Sequence, residues 1–137
     1  MRTRVVLVHG SRLSSAQWAP QLPLLEPHVD VTLVDLPGHG MRAAEDFTLA
    51  RCVEVIDEAV REDDAPVVLV GHSLGGYAAM AYAAELASRL DGLVLAGCSA
   101  SPVGPGAAVY RGVAALTDAL GPERMTRVND RVLRRFY

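Results

Sequence analysis

Short apolar runs alternate with helix-like stripes over the first hundred residues of the chain. Four runs of aliphatic and β-branched residues are typical of buried parallel strands; they cover residues 4–8, 31–35, 66–70 and 92–96. Residues 49–62 carry apolar positions at helical spacing after Thr48, the expected N-cap, and residues 74–89 form an Ala-rich helix. Two prolines limit residues 16–26 to short helical pieces. The pattern predicts an α/β fold with a parallel four-stranded sheet and flanking helices.

The alternation of strands and helices stops after residue 101. Two prolines and two glycines mark a connection there, and two amphipathic helical stripes follow. The first stripe contains Val109, Val113, Leu116 and Leu120, and the second contains Met125, Val128, Val132 and Phe136. We therefore divide the chain into a core segment, residues 1–101, and a helical segment, residues 102–137.

Composition restricts the class of protein. The chain has 137 residues, half of them hydrophobic and 21% charged, which predicts a globular domain. A net charge of −3 argues against a nucleic-acid partner, and no apolar run is long enough for a membrane span. The N-terminus does not resemble a secretory signal, and Cys52 and Cys98 lack metal-ligand or disulfide spacing. We expect a cytoplasmic protein without cofactor or metal.

The third apolar run ends in a motif that carries chemistry. Residues 71–75 read G-H-S-L-G, so that Ser73 stands between Gly71 and Gly75 after a strand and before a helix. In this context the sharp turn raises one serine hydroxyl above the end of a sheet, and the glycines allow close backbone approach. The motif predicts Ser73 as a nucleophile.

A nucleophilic serine also needs two N–H donors for the oxyanion that develops on the acyl carbon. Leu74 N–H, directly after the nucleophile, is one expected donor. The first strand ends in His9-Gly10-Ser11, and Ser11 N–H is the expected second donor. The alternative interpretation is that both segments are ordinary junctions between a strand and a turn.

Together these residues resemble the α/β-hydrolase fold family. The matching segments are V-L-V-H-G-S at 6–11, Trp18, D-L-P-G-H-G at 35–40 and G-H-S-L-G-G at 71–76. The resemblance covers residues 5–99, the N-terminal half of such a domain. It implies serine hydrolase chemistry on a small-molecule ester, thioester or amide, with Ser73 as nucleophile and Ser11 and Leu74 as oxyanion donors. The expected pocket residues are His9, Gly10, Trp18 and His72. It also implies that residues 102–137 begin a helical cap, although ordinary helices on the sheet remain the alternative.

The chain departs from the family in its histidines. The family order is Ser, then Asp or Glu, then His, whereas all four histidines here precede Ser73 and no carboxylate follows the fourth strand at 97–101. His72 should leave the turn on another side, His9 should shape the oxyanion loop or face the pocket, His39 should pack in its loop, and His28 should be solvated. We expect the chain to be the N-terminal part of a longer hydrolase and inactive alone. The alternative is a non-catalytic binding module on the same scaffold.

The resemblance also implies the strand order second, first, third, fourth. Residues 92–96 then form an edge strand that is apolar on both faces, which is an aggregation hazard. We therefore expect self-association, or a partner chain, at this strand.

Overall fold

A computed structural model of the chain describes residues 1–62 and 64–99, together with positions 112, 115 and 119. The chain divides into two compact units, Met1–Ala100 and Ser101–Tyr137. The first unit contains all the elements described below. Apart from the three isolated positions, the helices expected in residues 102–137, and their interpretation as a cap, lie outside the described residues.

The first unit is a four-stranded parallel sheet with helices between the strands. Its strands are β1 (Arg4–Val8), β2 (Asp30–Val34), β3 (Val67–His72) and β4 (Gly92–Ala96), and its helices are α1 (Leu22–Leu25), α2 (Leu49–Val60) and α3 (Leu74–Leu86). Short 3-10 helices cover Ser15–Trp18, Gly40–Arg42 and Ala87–Arg89. The strand order is β2-β1-β3-β4 and every pair is parallel, which confirms the expected architecture and order.

Strand β3 differs from its expected bounds in a way that bears on the site. It continues beyond Val70 to His72, because Gly71 and His72 still pair with Leu95 and Ala96 of β4. The first two residues of the G-x-S-x-G motif therefore belong to the strand, and the turn is confined to Ser73. Because the strand ends at His72 and the helix begins at Leu74, the backbone angles of Ser73 are restricted on both sides.

The main core lies between the sheet and the helices α2 and α3. It includes Val6 and Val8 of β1, Ile56 of α2 and Tyr82 of α3, each fully buried. The Tyr82 hydroxyl donates to Asp57 at 3.0 Å, and burial, reinforced by this carboxylate, raises the pKa of Tyr82 to about 12. The two helices are therefore joined by a neutral phenol as well as by apolar packing.

Helix α2 begins as the sequence predicts, and the predicted apolar face packs on the core except at its first residue. The Oγ1 of Thr48 accepts the N–H of Arg51 at 3.1 Å, which confirms the expected N-cap. The expected apolar stripe included Leu49, yet its side chain is 55% exposed, whereas Val55 is buried. Leu49 is the first residue of the helix, and the packed stripe begins one turn later, at Cys52.

Strand β4 is the edge of the described sheet beside β3. Its apolar residues Leu93, Val94 and Leu95 are 39%, 48% and 40% exposed. The expectation of an exposed apolar edge is therefore confirmed for the described residues. Within residues 1–62 and 64–99, no helix has both the length and the apolar character needed to cross a membrane.

Candidate active site

The backbone of Ser73 has an unusual conformation. Its φ of 51° and ψ of −114° correspond to the first central residue of a type II′ turn, a position that glycine normally occupies. Ser73 N–H donates to the carbonyl of Ala96 at 2.8 Å, and its own carbonyl accepts from Tyr77 at 3.1 Å. The end of β4 and the first turn of α3 thus hold the residue in place. Strain of this kind concentrates at active sites and ligand clamps.

Gly71 and Gly75 permit the close packing that this turn requires. A β-carbon at Gly71 would overlap the carbonyl of Gly75, and one at Gly75 would overlap the carbonyls of Val8 and His9. The start of α3 therefore lies directly against the ends of β3 and β1. The expectation that these glycines allow close backbone approach is confirmed.

The loop after β1 lies beside Ser73. A β-carbon at Gly10 would stand 3.5 Å from the Cβ of Ser73 and 2.8 Å from the Nδ1 of His72. Leu74 is the first residue of α3, so its N–H has no acceptor within the helix. Ser11 follows Gly10 and is exposed. Within the described part of the chain, neither amide donates a backbone hydrogen bond.

His9 is fully buried and both of its ring nitrogens bond to backbone groups. Its Nε2 accepts the N–H of Leu36 at 3.0 Å, which places the ring proton on Nδ1, and Nδ1 donates to the carbonyl of Gly10 at 2.8 Å. Burial lowers the pKa of His9; the Gly10 carbonyl opposes this effect and nearby His39 adds to it. His9 is thus a neutral imidazole with no free nitrogen to accept a proton from Ser73.

Asp35 and Gln17 complete the support of this loop, and sequence reasoning gave neither a role. Asp35 accepts the amides of Ser15 at 2.6 Å and Met41 at 2.9 Å. Burial opposes ionisation of Asp35, but the two amides outweigh it and hold its pKa below the usual value. Gln17 Oε1 accepts the N–H of Gly10 at 2.9 Å. The sequence did contain a signal for Asp35, since it directly follows β2 and therefore lies at the carboxyl ends of the parallel strands, as Ser73 does.

The other histidines occupy different places around the site. The ring of His72 lies between Gly10 and Gly97, and its Nδ1 is buried without a hydrogen-bond partner among the described residues. His39 Nδ1 donates to the carbonyl of Pro37 at 2.9 Å, and His28 is exposed. Within the described residues, no hydrogen bond links the hydroxyl of Ser73 to a histidine.

Trp18 ends the 3-10 helix that follows the loop after β1. The residue is half-buried, and its indole Nε1 is buried with no partner in the described part of the chain. The expected pocket residues thus divide into His72 and Gly10, which adjoin the Ser73 turn, His9, which is enclosed behind the loop, and Trp18, on the neighbouring helix. No group of three His, Cys, Asp or Glu side chains in residues 1–62 and 64–99 forms a metal site.

Comparison with known proteins identifies the family of the chain. A profile described as the alpha/beta hydrolase family matches residues 5–137. The chain belongs to the alpha/beta hydrolase family. Among its curated relatives is the pimeloyl-[acyl-carrier protein] methyl ester esterase of Xylella fastidiosa strain M12, 37% identical over 91 residues. That alignment covers 66% of this chain and 34% of the esterase, so this chain spans about a third of the relative's length.

Solved structures share the fold of this alpha/beta hydrolase chain. Polyneuridine aldehyde esterase is 32% identical with a TM-score of 0.61, over 69% of this chain and 40% of that one. ClbQ of the colibactin pathway, at 18% identity, has a TM-score of 0.64 over 83% of this chain and 55% of its own. The likeness to ClbQ concerns the fold alone.

Proposed function

We propose that the protein is a serine hydrolase that cleaves a carboxylic ester through an acyl-enzyme at Ser73. The observation that supports this most directly is the strained, glycine-type backbone of Ser73 beside the loop of Gly10. A non-glycine residue at such angles costs about 1–3 kcal/mol. A serine kept there at that cost is better explained by a role for its hydroxyl than by packing.

The mechanism follows from the groups around the turn. The Ser73 oxygen attacks the acyl carbon while a base takes its proton, and the amides of Ser11 and Leu74 bind the resulting oxyanion. The positive end of α3 adds to the stabilisation of that charge. Collapse of the tetrahedral species releases the alcohol, which takes the proton back from the base, and water then hydrolyses the acyl-enzyme to free the carboxylic acid and restore Ser73. Loss of one oxyanion donor typically costs about 10²–10³ in rate.

The base is the part of the mechanism that the described residues do not supply. His9 has both nitrogens bonded to backbone, His39 bonds to its own loop, and His28 is exposed. His72 neighbours Ser73 in sequence, but its ring is packed between Gly10 and Gly97. We propose that a carboxylate and a histidine from outside the described residues complete the site.

The substrate class is proposed from the relatives. The names of the Xylella fastidiosa protein and of the solved polyneuridine aldehyde esterase describe esterases, and the first names a methyl ester. We propose a small alkyl ester of a carboxylic acid, with His72, Gly10 and Trp18 at the pocket and His9 behind its wall. Ester cleavage by these groups needs neither a metal nor an organic cofactor.

A second candidate function is a non-catalytic binding module on the same scaffold. It is favoured by one sequence fact, that all four histidines precede Ser73, so the family's order of catalytic residues is not present in these 137 residues. Under this alternative the strained turn would act as a ligand clamp and no covalent bond would form at Ser73.

Labelling with a fluorophosphonate probe separates these functions. The 137-residue chain and a form extended along its reading frame are each treated with the probe, with Ser73→Ala as the control. We expect an adduct at Ser73 in the extended form and little in the short chain, because the base is supplied from elsewhere. An adduct in the short chain would mean that one of its own groups activates Ser73. No adduct in either form would overturn the hydrolase proposal and favour the binding module.

A further inference from the structure

We infer that Gln17 is a positioning residue for the Ser11 oxyanion amide, an inference that rests on the proposed function. Gln17 Oε1 accepts the N–H of Gly10 at 2.9 Å, from the 3-10 helix Ser15–Trp18. Gln17 itself does not touch the reacting atoms. It acts by holding the peptide group that precedes the Gly10–Ser11 peptide.

Two consecutive peptide groups of the loop are held by side chains. Gln17 holds the N–H of the His9–Gly10 peptide, and His9 Nδ1 holds the carbonyl of the Gly10–Ser11 peptide at 2.8 Å. Leu13 N–H donates to the same carbonyl at 3.3 Å. In a trans peptide the N–H points opposite to the carbonyl, so a fixed Gly10 carbonyl also fixes the direction of Ser11 N–H. Ser11 N–H is left as the free donor of this pair of peptides.

The side chain of Gln17 is well placed for this role because its own helix is anchored. Ser14 caps the 3-10 helix by accepting the N–H of Ala16, and Asp35 accepts the N–H of Ser15 at 2.6 Å. Gly10 is the residue that most needs such support, since without a side chain its backbone has a wide choice of angles. The Gln17 bond removes that freedom at the position next to Ser73.

The test compares three variants in the form of the protein whose Ser73 reacts with the fluorophosphonate probe. Gln17→Met keeps the size of the side chain and removes the acceptor, whereas Gln17→Glu keeps an acceptor oxygen. Gln21→Met makes the same change at an exposed residue shortly after the 3-10 helix Ser15–Trp18. Each variant is measured for its maximal rate of phosphonylation, its half-saturating probe concentration and its melting temperature.

We expect Gln17→Met to lower the maximal rate about tenfold or more, because a misdirected Ser11 N–H would no longer stabilise the oxyanion in the transition state. The half-saturating concentration should not change, since the oxyanion forms only during reaction. Gln17→Glu should restore most of the rate, and Gln21→Met should leave it unchanged. An unchanged rate in Gln17→Met, or an equal loss of rate in Gln21→Met, would overturn the role of Gln17 but not the proposed hydrolase function. If Ser73 of the unmodified protein reacts in neither form, the proposed function falls and this role of Gln17 with it.

Discussion

The Nε2 of His9 accepts the amide of Leu36 at 3.0 Å and thereby joins the loop after β1 to the loop after β2. The bond requires an unprotonated Nε2, because an amide can only donate. Burial lowers the pKa of His9. The carbonyl of Gly10 acts to raise this pKa, nearby His39 lowers it further, and Asp35 acts to raise it. The oxyanion loop therefore depends on a histidine that stays neutral.

Replacing His9 with asparagine should destabilise the protein and change its response to pH. The shorter asparagine side chain would keep a donor near Gly10 but leave the buried Leu36 amide without an acceptor, at a cost of about 1–3 kcal/mol. The pKa of His9 is lower in the folded state than in the unfolded state, where it is about 6.5. The neutral ring of His9 therefore contributes to stability above about pH 6.5, and this contribution is lost as the pH falls. The difference in unfolding free energy between the two proteins should thus shrink from about pH 7 to about pH 5.

The measurement is urea denaturation of both proteins at several pH values. His28→Asn serves as the control, because His28 is exposed and precedes β2, whereas Leu36 follows that strand. A difference between wild type and His9→Asn that stays constant over this range would show that His9 does not titrate as described.

Glycine at position 73 should stabilise the fold while alanine should not. The φ of 51° and ψ of −114° are strained for any residue with a β-carbon, so Ser73→Gly should raise the unfolding free energy by about 1 kcal/mol. Ser73→Ala keeps the strain and the N–H bond to Ala96, and should change stability by less than about 0.5 kcal/mol. Calorimetry of the three proteins checks this order. A large loss in Ser73→Ala would indicate that the hydroxyl is structural.

Gly76 and Cys98 should be energetically coupled. In most helices Gly→Ala gains up to about 1 kcal/mol, but a β-carbon at Gly76 would overlap the sulfur of Cys98. Gly76→Ala should therefore destabilise the protein by about 1–3 kcal/mol. In a Cys98→Ala background this loss should shrink by at least about 1 kcal/mol, because the overlapping sulfur is gone. A double-mutant cycle measures the coupling, and strictly additive losses would exclude the contact.

The apolar edge at β4 should pair with a second copy of the chain. Leu93, Val94 and Leu95 are exposed on a strand whose outer edge has no partner among the described strands. We expect concentration-dependent association in sedimentation velocity, and Val94→Lys should reduce it by adding a charge to the edge. Leu24→Lys, at an exposed position on α1, should leave it unchanged. A compact monomer at every concentration would contradict this prediction.

The sheet could be predicted from the sequence because its strands are short, nearly uniform apolar runs. The parallel pairing, the strand order and the Thr48 cap all followed from local patterns and from the family resemblance. The Ser73 turn could also be predicted, since the motif G-x-S-x-G between a strand and a helix is typical of a sharp turn at the serine.

The supports of the site could not be predicted in the same way. Gln17 and Gly10 are seven residues apart, and His9 and Leu36 are separated by 27, so neither contact follows from periodicity. Their meeting depends on the angle at which each loop leaves the sheet. That angle is set by tertiary packing, such as the two amides that converge on Asp35.

The most direct test of Ser73 as the nucleophile is to trap the acyl-enzyme. The extended form is mixed with an activated p-nitrophenyl ester, quenched in acid, digested and examined by mass spectrometry. We predict a burst of p-nitrophenol equal to the enzyme concentration and an acyl group on the peptide that contains Ser73. No burst, or an acyl group on any other residue, would contradict the assignment of Ser73 as the nucleophile.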